Sequence, residues 1–449
     1  MHFPQKADLM PWLARLISSP ALRRARHESH RIRAGLSGQS DLIRVFINPV
    51  DPFALPLLQA LKELSGRFRI RYRFHTVNTQ PEDMFPEPDM WTHWAREDAT
   101  RIARRYGLTA PERADTPPEE QVSAVLHQLL EQETGDRYLD TAIEAMTRLW
   151  SNSEGPATQP VPDAPALNRK LQDNESLRQR LGHYQSSMMY FRGDWFWGVD
   201  RLDHLERILL REGRALRNNE QITYNRTWAD LGHNASPLAD GHPARNQPIE
   251  VFFSIRSPYS YLGLERAALL ARTWNLPLTL RPVLPMLMRG QTVPDTKKWY
   301  IFHDTRREAR KLGLPYGFVA DPLGPGVERC YALFEYARSQ GRELDYMLAY
   351  ARAVNAEGIR SETDAGLEQI VTRAGLDWQS ARPLLSDTRW RSWAEANRQA
   401  MYDLGLWGVP SFRYGNISCW GQDRLWLIEE EIRARTGNCP DDSATSRNR

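Results

Sequence analysis

The sequence is poor in cysteine, in long apolar runs and in net charge. Its three cysteines, at positions 330, 419 and 439, form neither a Cys-x-x-Cys pair nor a group with metal-ligand spacing. This scarcity favours a reducing compartment, so we expect a cytoplasmic protein without a metal site. No apolar run approaches the length of about 18 residues that a membrane-spanning helix requires, and we expect no membrane span.

The charges of the chain are nearly balanced overall but unevenly distributed. Lysine and arginine total 59 against 56 acidic residues, which argues against a general nucleic-acid binder. The first 40 residues, however, contain many arginines and few acids. We expect this segment to be a basic, amphipathic helical arm packed on the body. A targeting presequence and a helix lying on a membrane surface are the alternatives.

The 449 residues are too many for one ordinary core, and the two halves of the chain repeat each other. Identical residues align in three separate blocks, at an offset of 206 for the first two and of 223 for the third. The aligned blocks are 45–54 with 251–260, 97–108 with 303–314, and 197–202 with 420–425. Three blocks in the same order predict two copies of one fold.

Each copy has the same pattern of predicted elements. Strand, helix and strand are followed by helical material, two short strands and a last helix, which indicates an α/β fold with a βαβ unit joined to a β-hairpin and helix. The predicted boundaries are an arm over 1–40, a first domain over 41–232, a linker over 233–248, a second domain over 249–438 and a disordered tail over 439–449.

The stretch FFSIRSPYS, residues 252–260, predicts a strand that turns sharply into a helix. Redox proteins of the thioredoxin type place Cys-x-x-Cys at such a junction, but here Ser257 and Ser260 hold those positions. A helix N-terminus stabilises an anion, and a serine hydroxyl can donate to the thiolate of another molecule. The alternative is that Ser257 only caps the helix, for which serine is a favoured residue.

Two later stretches carry further candidates. In GVPSF, residues 408–412, Pro410 precedes a predicted strand, as in thioredoxin folds, where a cis proline lies beside the junction. The backbone of Val409 could then pair with a bound peptide. In WGQDRL, Gln422 and Asp423 open the last helix, where Asp423 either caps the helix or binds an ammonium group of a ligand.

From residue 249 to about 436 the chain resembles the 2-hydroxychromene-2-carboxylate isomerases, which share the fold of the kappa-class glutathione transferases. The motifs that carry the resemblance are SPYSYLG, VPDTKKWYIFHDTRREARKLGLPY, GVP and GQDRL, in family order. The resemblance implies a DsbA-like thioredoxin fold with a helical insertion. Together with the repeat, it predicts two such domains in tandem.

The resemblance also implies glutathione as cofactor and a role for each motif residue. Ser257 would activate the glutathione sulfur, and the backbone of Val409 would pair with the cysteinyl part. Gln422 and Asp423 would hold the γ-glutamyl end. Lys297 would reach a glutathione carboxylate or the substrate.

The predicted function is therefore a glutathione-dependent isomerase or transferase acting on a small conjugated or aromatic electrophile. The first alternative is a non-enzymatic scaffold of the same fold; the second, disfavoured by the missing Cys-x-x-Cys, is a disulfide oxidoreductase. The first copy has Asp51 where the second has Ser257, and Ser187 where the second has Pro410. We expect that copy to be a structural or partner-binding half, and the protein to be a homodimer or an intramolecular pseudo-dimer.

Overall fold

The computed structural model describes residues 6–36, 38, 41–151 and 164–437, so the predicted tail over 439–449 lies outside the described residues. The described chain divides into two compact units. The amino-terminal unit consists of residues 23–226 and 293–300. The carboxy-terminal unit consists of residues 6–22, 227–292 and 301–437.

The first half of the chain builds one mixed four-stranded sheet. Its order is β2-β1-β3-β4, with β1 parallel to β2 and antiparallel to β3, and β4 antiparallel to β3. The strands are β1 (Leu42–Ile47), β2 (Arg71–Thr76), β3 (Met188–Phe191) and β4 (Asp194–Trp197). In chain order, the α-helices of the described residues up to 229 are α1 (Lys6–Ile17), α2 (Pro20–Leu36), α3 (Ala54–Ser65), α4 (Pro88–Arg105), α5 (Glu119–Gln132), α6 (Tyr138–Leu149), α7 (Ala164–Arg180), α8 (Leu202–Arg211) and α9 (Arg226–Ala229).

The second half builds a sheet of the same order, β6-β5-β7-β8, with the same strand directions. Its strands are β5 (Ile249–Phe253), β6 (Leu278–Pro282), β7 (Ser411–Tyr414) and β8 (Ile417–Trp420). The helices are α10 (Pro258–Trp274), α11 (Asp295–Lys311), α12 (Pro325–Ala332), α13 (Phe334–Ser339), α14 (Glu343–Ala356), α15 (Asp364–Arg373), α16 (Trp378–Ala381), α17 (Trp390–Asp403) and α18 (Leu425–Thr436).

The two sheets correspond in register as well as in order. Val45 pairs with Met189 in the first sheet, and Val251 pairs with Phe412 in the second. Val251 follows Val45 by 206 residues and Phe412 follows Met189 by 223 residues, which are the two offsets found in the sequence. The parallel pairs agree likewise, since Ile43 faces Tyr72 as Ile249 faces Leu278.

The core of the carboxy-terminal unit forms where α10 covers its sheet. Four of the five residues of strand β5 are apolar and buried, as expected for a central strand with both faces covered. Helix α10 follows it with Pro258 at its first position, where proline costs no hydrogen bond, and ends at Asn275 in the left-handed conformation. It packs on β5, β6, α14 and α18.

Two local features differ from the sequence-based expectations. Gln422 and Asp423 do not open the last α-helix, because residues Gln422–Arg424 form a 3-10 turn and α18 begins at Leu425. The predicted linker also contains a short 3-10 helix, Pro243–Asn246. Across the described ranges, no helix combines the length and the apolar character needed to cross a bilayer.

Candidate functional site

Ser257 is the N-cap residue of α10, at the junction between β5 and the helix. Its backbone is extended (φ −76°, ψ 120°), and its Oγ accepts a hydrogen bond from the amide of Ser260 at 3.2 Å. Its own amide donates to the carbonyl of Ser254 at 2.9 Å. Within the described part of the chain, the half-buried Ser257 hydroxyl donates to no acceptor. Capping uses the oxygen as an acceptor, so the O–H donor stays available to a ligand.

Ser260, the second residue of the Ser-x-x-Ser pair, is placed differently. Its side chain is buried, with 1% exposure, and its Oγ accepts from the amide of Ser254 at 3.3 Å. Ser260 therefore fastens the end of β5 to the first turn of α10. Of the two serines, Ser257 is the one that a ligand can approach.

Pro410 lies against the second turn of α10, beside this junction. The Val409–Pro410 peptide bond is cis. A Cβ atom added to Gly263 would come within 2.9 Å of Pro410 Cγ, so the helix and the proline approach each other as closely as a glycine allows. The carbonyl of Pro410 accepts from the amide of Gly421 at 2.8 Å, which ties this loop to the end of β8.

Val409 leaves backbone groups open next to the proline. It is half-buried, and among the described residues neither its amide nor its carbonyl makes a hydrogen bond. The preceding Gly408 packs under Trp420, whose Nε1 would lie 2.5 Å from an added Cβ. The ring of Trp407 packs at a tilt of 46° against the same tryptophan, with ring centroids 4.8 Å apart. The two indoles therefore pack beside the loop that carries Val409.

Tyr259 is a site residue that the sequence analysis missed. It lies two residues after Ser257 in the first turn of α10, and its phenol donates to Asp304 Oδ2 of α11 at 2.7 Å. Asp304 is fully buried and also accepts from Arg307 at 2.6 Å. The SPYS motif contained this tyrosine, but nothing in the sequence marked Asp304 as its partner.

Gln422 lies inside a buried polar network. Its Oε1 accepts from Arg266 at 2.5 Å, and its Nε2 donates to Glu308 at 3.3 Å and to Asp423 at 2.5 Å. Because the residue is only 1% exposed, its amide is engaged within the protein and orients the half-buried Asp423. Contacts of Gln422 and Asp423 with a γ-glutamyl group stay predictions. No pattern in the sequence marked Arg266 or Glu308 as partners of Gln422.

Lys297 belongs to the amino-terminal unit, whereas Ser257 belongs to the carboxy-terminal one. Its ammonium donates to the carbonyl of Met84 at 2.5 Å. Burial lowers the pKa of Lys297 to about 8, against the opposing effect of nearby Asp83. A contact between Lys297 and a glutathione carboxylate stays a prediction.

The corresponding junction of the amino-terminal unit is built around a buried carboxylate. Asp51 Oδ2 accepts from Ser186 at 2.6 Å and from Ser187 at 2.7 Å, while Oδ1 accepts from the amide of Phe53 at 3.0 Å. Burial raises the pKa of Asp51, and these hydrogen bonds partly oppose the rise. Asp51 does not cap α3, because the N-cap position is Phe53 and has no side-chain cap.

The second half of the chain is similar to known proteins. Residues 248–433 match the model of the DSBA-like thioredoxin domain. A 2-hydroxychromene-2-carboxylate isomerase of Pseudomonas putida is 23% identical over 192 residues, which cover 41% of this chain and 93% of that protein. One from Sphingobium xenophagum is 24% identical and covers 41% of this chain and 97% of that protein.

A solved structure of a 2-hydroxychromene-2-carboxylate isomerase also matches, with 24% identity and a TM-score of 0.37. The match covers 43% of this chain and 99% of that one. The family model spans the junction at Ser257, the loop at Pro410 and most of the last helix. Residues 248–433 of this chain are therefore similar to the DsbA-like thioredoxin domain.

Proposed function

We propose that the carboxy-terminal unit binds glutathione at the N-terminus of α10 and acts as an isomerase or transferase on a small conjugated or aromatic compound. The observation that carries the proposal is the Ser257 hydroxyl, which caps the helix through its oxygen and keeps its proton for a ligand. The named isomerases among the relatives favour isomerisation over transfer.

The residues at the junction fit a thiolate better than a thiol. A hydrogen bond from Ser257 to a sulfur anion is charge-assisted and contributes about 1.5–3 kcal/mol. That free energy corresponds to lowering the pKa of the thiol by roughly one to two units. The positive end of the α10 dipole acts in the same direction. Ser257 would therefore raise the fraction of bound thiol that is ionised at neutral pH.

Other groups of the unit would orient the tripeptide. The open amide and carbonyl of Val409 can pair with the cysteinyl residue as an added strand does. The carboxylate of Asp423, held by Gln422, can accept from the ammonium group of the γ-glutamyl end. These two contacts would fix the sulfur above Ser257.

When bound, glutathione supplies a thiol that can add to a conjugated double bond and leave again after the bond has rotated, so no oxidant or reductant is consumed. Ser257 would hold the sulfur as an anion before addition and after departure. Near it, Tyr259 directs its hydroxyl proton at Asp304.

The test is calorimetry of wild type, Ser257→Ala and Ser257→Thr with glutathione and with S-methylglutathione at neutral pH. We expect Ser257→Ala to weaken glutathione binding about tenfold or more, with partial recovery in Ser257→Thr. S-methylglutathione, which has no ionisable thiol, should bind both variants like wild type. Absence of binding at millimolar glutathione, or equal losses for both ligands, would overturn the proposal.

For the amino-terminal unit a scaffold role is the better candidate. Asp51 occupies the position equivalent to Ser257, and its carboxyl group accepts from Ser186 and Ser187 instead of offering a donor to a sulfur anion. We propose that the chain is a tandem duplication in which the second copy alone carries the thiol site. A disulfide oxidoreductase is disfavoured because Ser257 and Ser260 hold the reactive positions, while Cys330 and Cys419 are buried. Reduction of insulin should be undetectable.

A further inference from the structure

Strand β5 passes into α10 through a four-residue turn, residues 254–257. The amide of Ser257 donates to the carbonyl of Ser254 at 2.9 Å, which closes the turn. The amide of Ser254 donates to the Oγ of Ser260 at 3.3 Å. Both bonds lie between the turn and the first residues of α10, so they shape the turn without fixing its position in the rest of the unit.

A buried tyrosine from the helices between β6 and β7 contacts this turn. Tyr331 lies in α12. Its hydroxyl accepts from the amide of Ile255 at 3.4 Å and donates to the carbonyl of Val283 at 2.7 Å. Ile255 is the second residue of the turn, and Val283 directly follows β6. The phenol therefore joins the carboxyl ends of the two parallel strands, beside the junction that carries Ser257.

The phenol of Tyr331 is itself held in place. The residue is 0% exposed, and its ring centroid lies 5.8 Å from that of Trp390 and 5.6 Å from that of Trp393, both in α17. A hydroxyl at this depth cannot touch a ligand and acts only through the groups that it binds. A second contact of the turn, the ion pair of Arg256 with Asp321, is screened by water because half of the Asp321 side chain is exposed. The buried phenol is therefore the firmer anchor.

The amino-terminal unit anchors its equivalent turn at the same place. By the offset of 206 this turn covers residues 48–51, and its last amide donates to its first carbonyl at 3.0 Å. Its second residue is Pro49, which has no amide hydrogen to donate. Here the carbonyl of Pro49 accepts from the buried indole of Trp150 at 3.0 Å. Two different aromatic side chains thus hold the same turn at its second residue, which indicates that the turn needs such an anchor.

We propose that Tyr331 is a positioning residue for the thiol site at Ser257. Its hydroxyl fixes Ile255 and thereby keeps the side chain at position 257 beside the first amides of α10, where a sulfur anion is stabilised. Without this hydroxyl, the amide of Ile255 and the carbonyl of Val283 each lose a buried partner, and the turn moves to find others. The inference rests on the proposed function, because it assigns how the serine of that site is held.

The test uses Ser257→Cys, in a Cys439→Ser background, as a reporter in the full-length protein without ligand. Its alkylation by iodoacetamide as a function of pH measures the pKa of a thiol at the junction. We expect Tyr331→Phe, which removes only the hydroxyl, to raise that pKa by about half a unit or more. The matched control is Tyr414→Phe, another tyrosine with 0% exposure, whose hydroxyl donates to the carbonyl of Ala244 at 3.0 Å. Tyr414 lies at the opposite end of the sheet, so this control should leave the pKa unchanged.

Ile255→Pro tests the same contact from the other side. It copies Pro49 and removes the amide that the phenol binds, so the pKa of the reporter thiol should rise here as well. Thermal unfolding verifies that each variant folds. A low reporter pKa that neither substitution changes, or that Tyr414→Phe raises equally, would overturn the inference and leave the proposed function standing. An ordinary pKa of about 8.5 for the reporter alone would overturn both.

Discussion

Asp51 accepts a hydrogen bond from the hydroxyl of Ser187 at 2.7 Å. These two positions correspond to Ser257 and Pro410 in the second half of the chain. In the second half the loop before the hairpin packs on the helix through Gly263, and the capping serine keeps a proton to donate. In the first half the same loop is tied to the junction by a carboxylate. One fold thus closes this junction in one copy and leaves it accessible in the other.

The raised pKa of Asp51 predicts that Asp51→Asn is relatively more stable at high pH. Burial favours the protonated carboxyl in the folded state, so the native protein binds more protons than the unfolded chain above the ordinary pKa of 3.8. The contribution of Asp51 to stability therefore falls as the pH rises through its folded pKa. Urea unfolding of both proteins at pH 4 and pH 8 measures the difference.

For that pair we expect the stability of Asp51→Asn minus that of wild type to increase from pH 4 to pH 8. The amide can still accept from Phe53 and donate to the hydroxyls of Ser186 and Ser187, so the geometry is preserved. A difference that stays constant, or decreases with pH, would show that hydrogen bonding to the carboxylate outweighs its burial.

The close approach of α10 and Pro410 predicts that Gly263→Ala is destabilising. The new methyl would lie 2.9 Å from Pro410 Cγ and 3.1 Å from Phe412 Cζ, so the loop must move away. Overpacking of this kind costs about 1–3 kcal/mol. Urea unfolding measures the loss, and calorimetry should show weaker glutathione binding because Val409 moves with the proline.

Gly35→Ala is the matched control for this substitution. Gly35 lies in helix α2, and an added Cβ there would have no atom within 4 Å. Alanine in an open helical position is neutral or stabilises by up to about 1 kcal/mol. If both variants were equally stable, the contact between Gly263 and Pro410 would not be as tight as the structure has it.

The order of strands and helices could be read from the sequence because its signals are local. Alternating apolar residues indicated β1, and apolar residues at helical spacing indicated α10. The internal offsets indicated that the two halves have the same order of elements. Ser257 could be recognised for the same reason, since an N-cap is defined by its own short segment. The predicted start of a helix was wrong where a 3-10 turn precedes the α-helix, as at Gln422–Arg424.

The partners of these residues could not be predicted, because they come from distant parts of the chain. Arg266 and Glu308, which engage Gln422, lie 156 and 114 residues away from it. Asp304, the partner of Tyr259, is 45 residues distant. The glycine inside α10 was a usable signal. Because glycine destabilises a helix, Gly263 indicates that another element comes close to the helix at this point.

Lys297 gives a prediction of the opposite sign to Asp51. Its pKa of about 8 in the folded protein is below the ordinary value of 10.5, so the native state binds fewer protons between these values. Stability contributed by Lys297 therefore rises with pH across that window. We expect the free energy of unfolding of Lys297→Met, measured relative to wild type, to be roughly 1–2 kcal/mol higher at pH 7 than at pH 9.5.

The neighbouring Lys298 provides the control for that experiment. It is exposed and pairs with Asp295 at 3.0 Å on the surface of α11. Lys298→Met should change the free energy of unfolding by less than about 0.5 kcal/mol at either pH. A pH-independent effect of Lys297→Met would mean that its ammonium is hydrated rather than buried beside Met84.

A cysteine placed at the junction would report on its electrostatics without any ligand. In Ser257→Cys the thiol would sit at the N-terminus of α10, where thiol pKa values fall to about 3.5–7.5. We expect its alkylation by iodoacetamide at pH 6.5 to be at least tenfold faster than that of an ordinary thiol with a pKa of about 8.5. Ser260→Cys, at a buried position, should react slowly.

Background labelling is low because Cys330 and Cys419 are buried, and Cys439→Ser removes the third thiol from both proteins. An ordinary alkylation rate for Ser257→Cys would mean that the helix N-terminus does not stabilise a sulfur anion, and the glutathione proposal would lose its electrostatic basis.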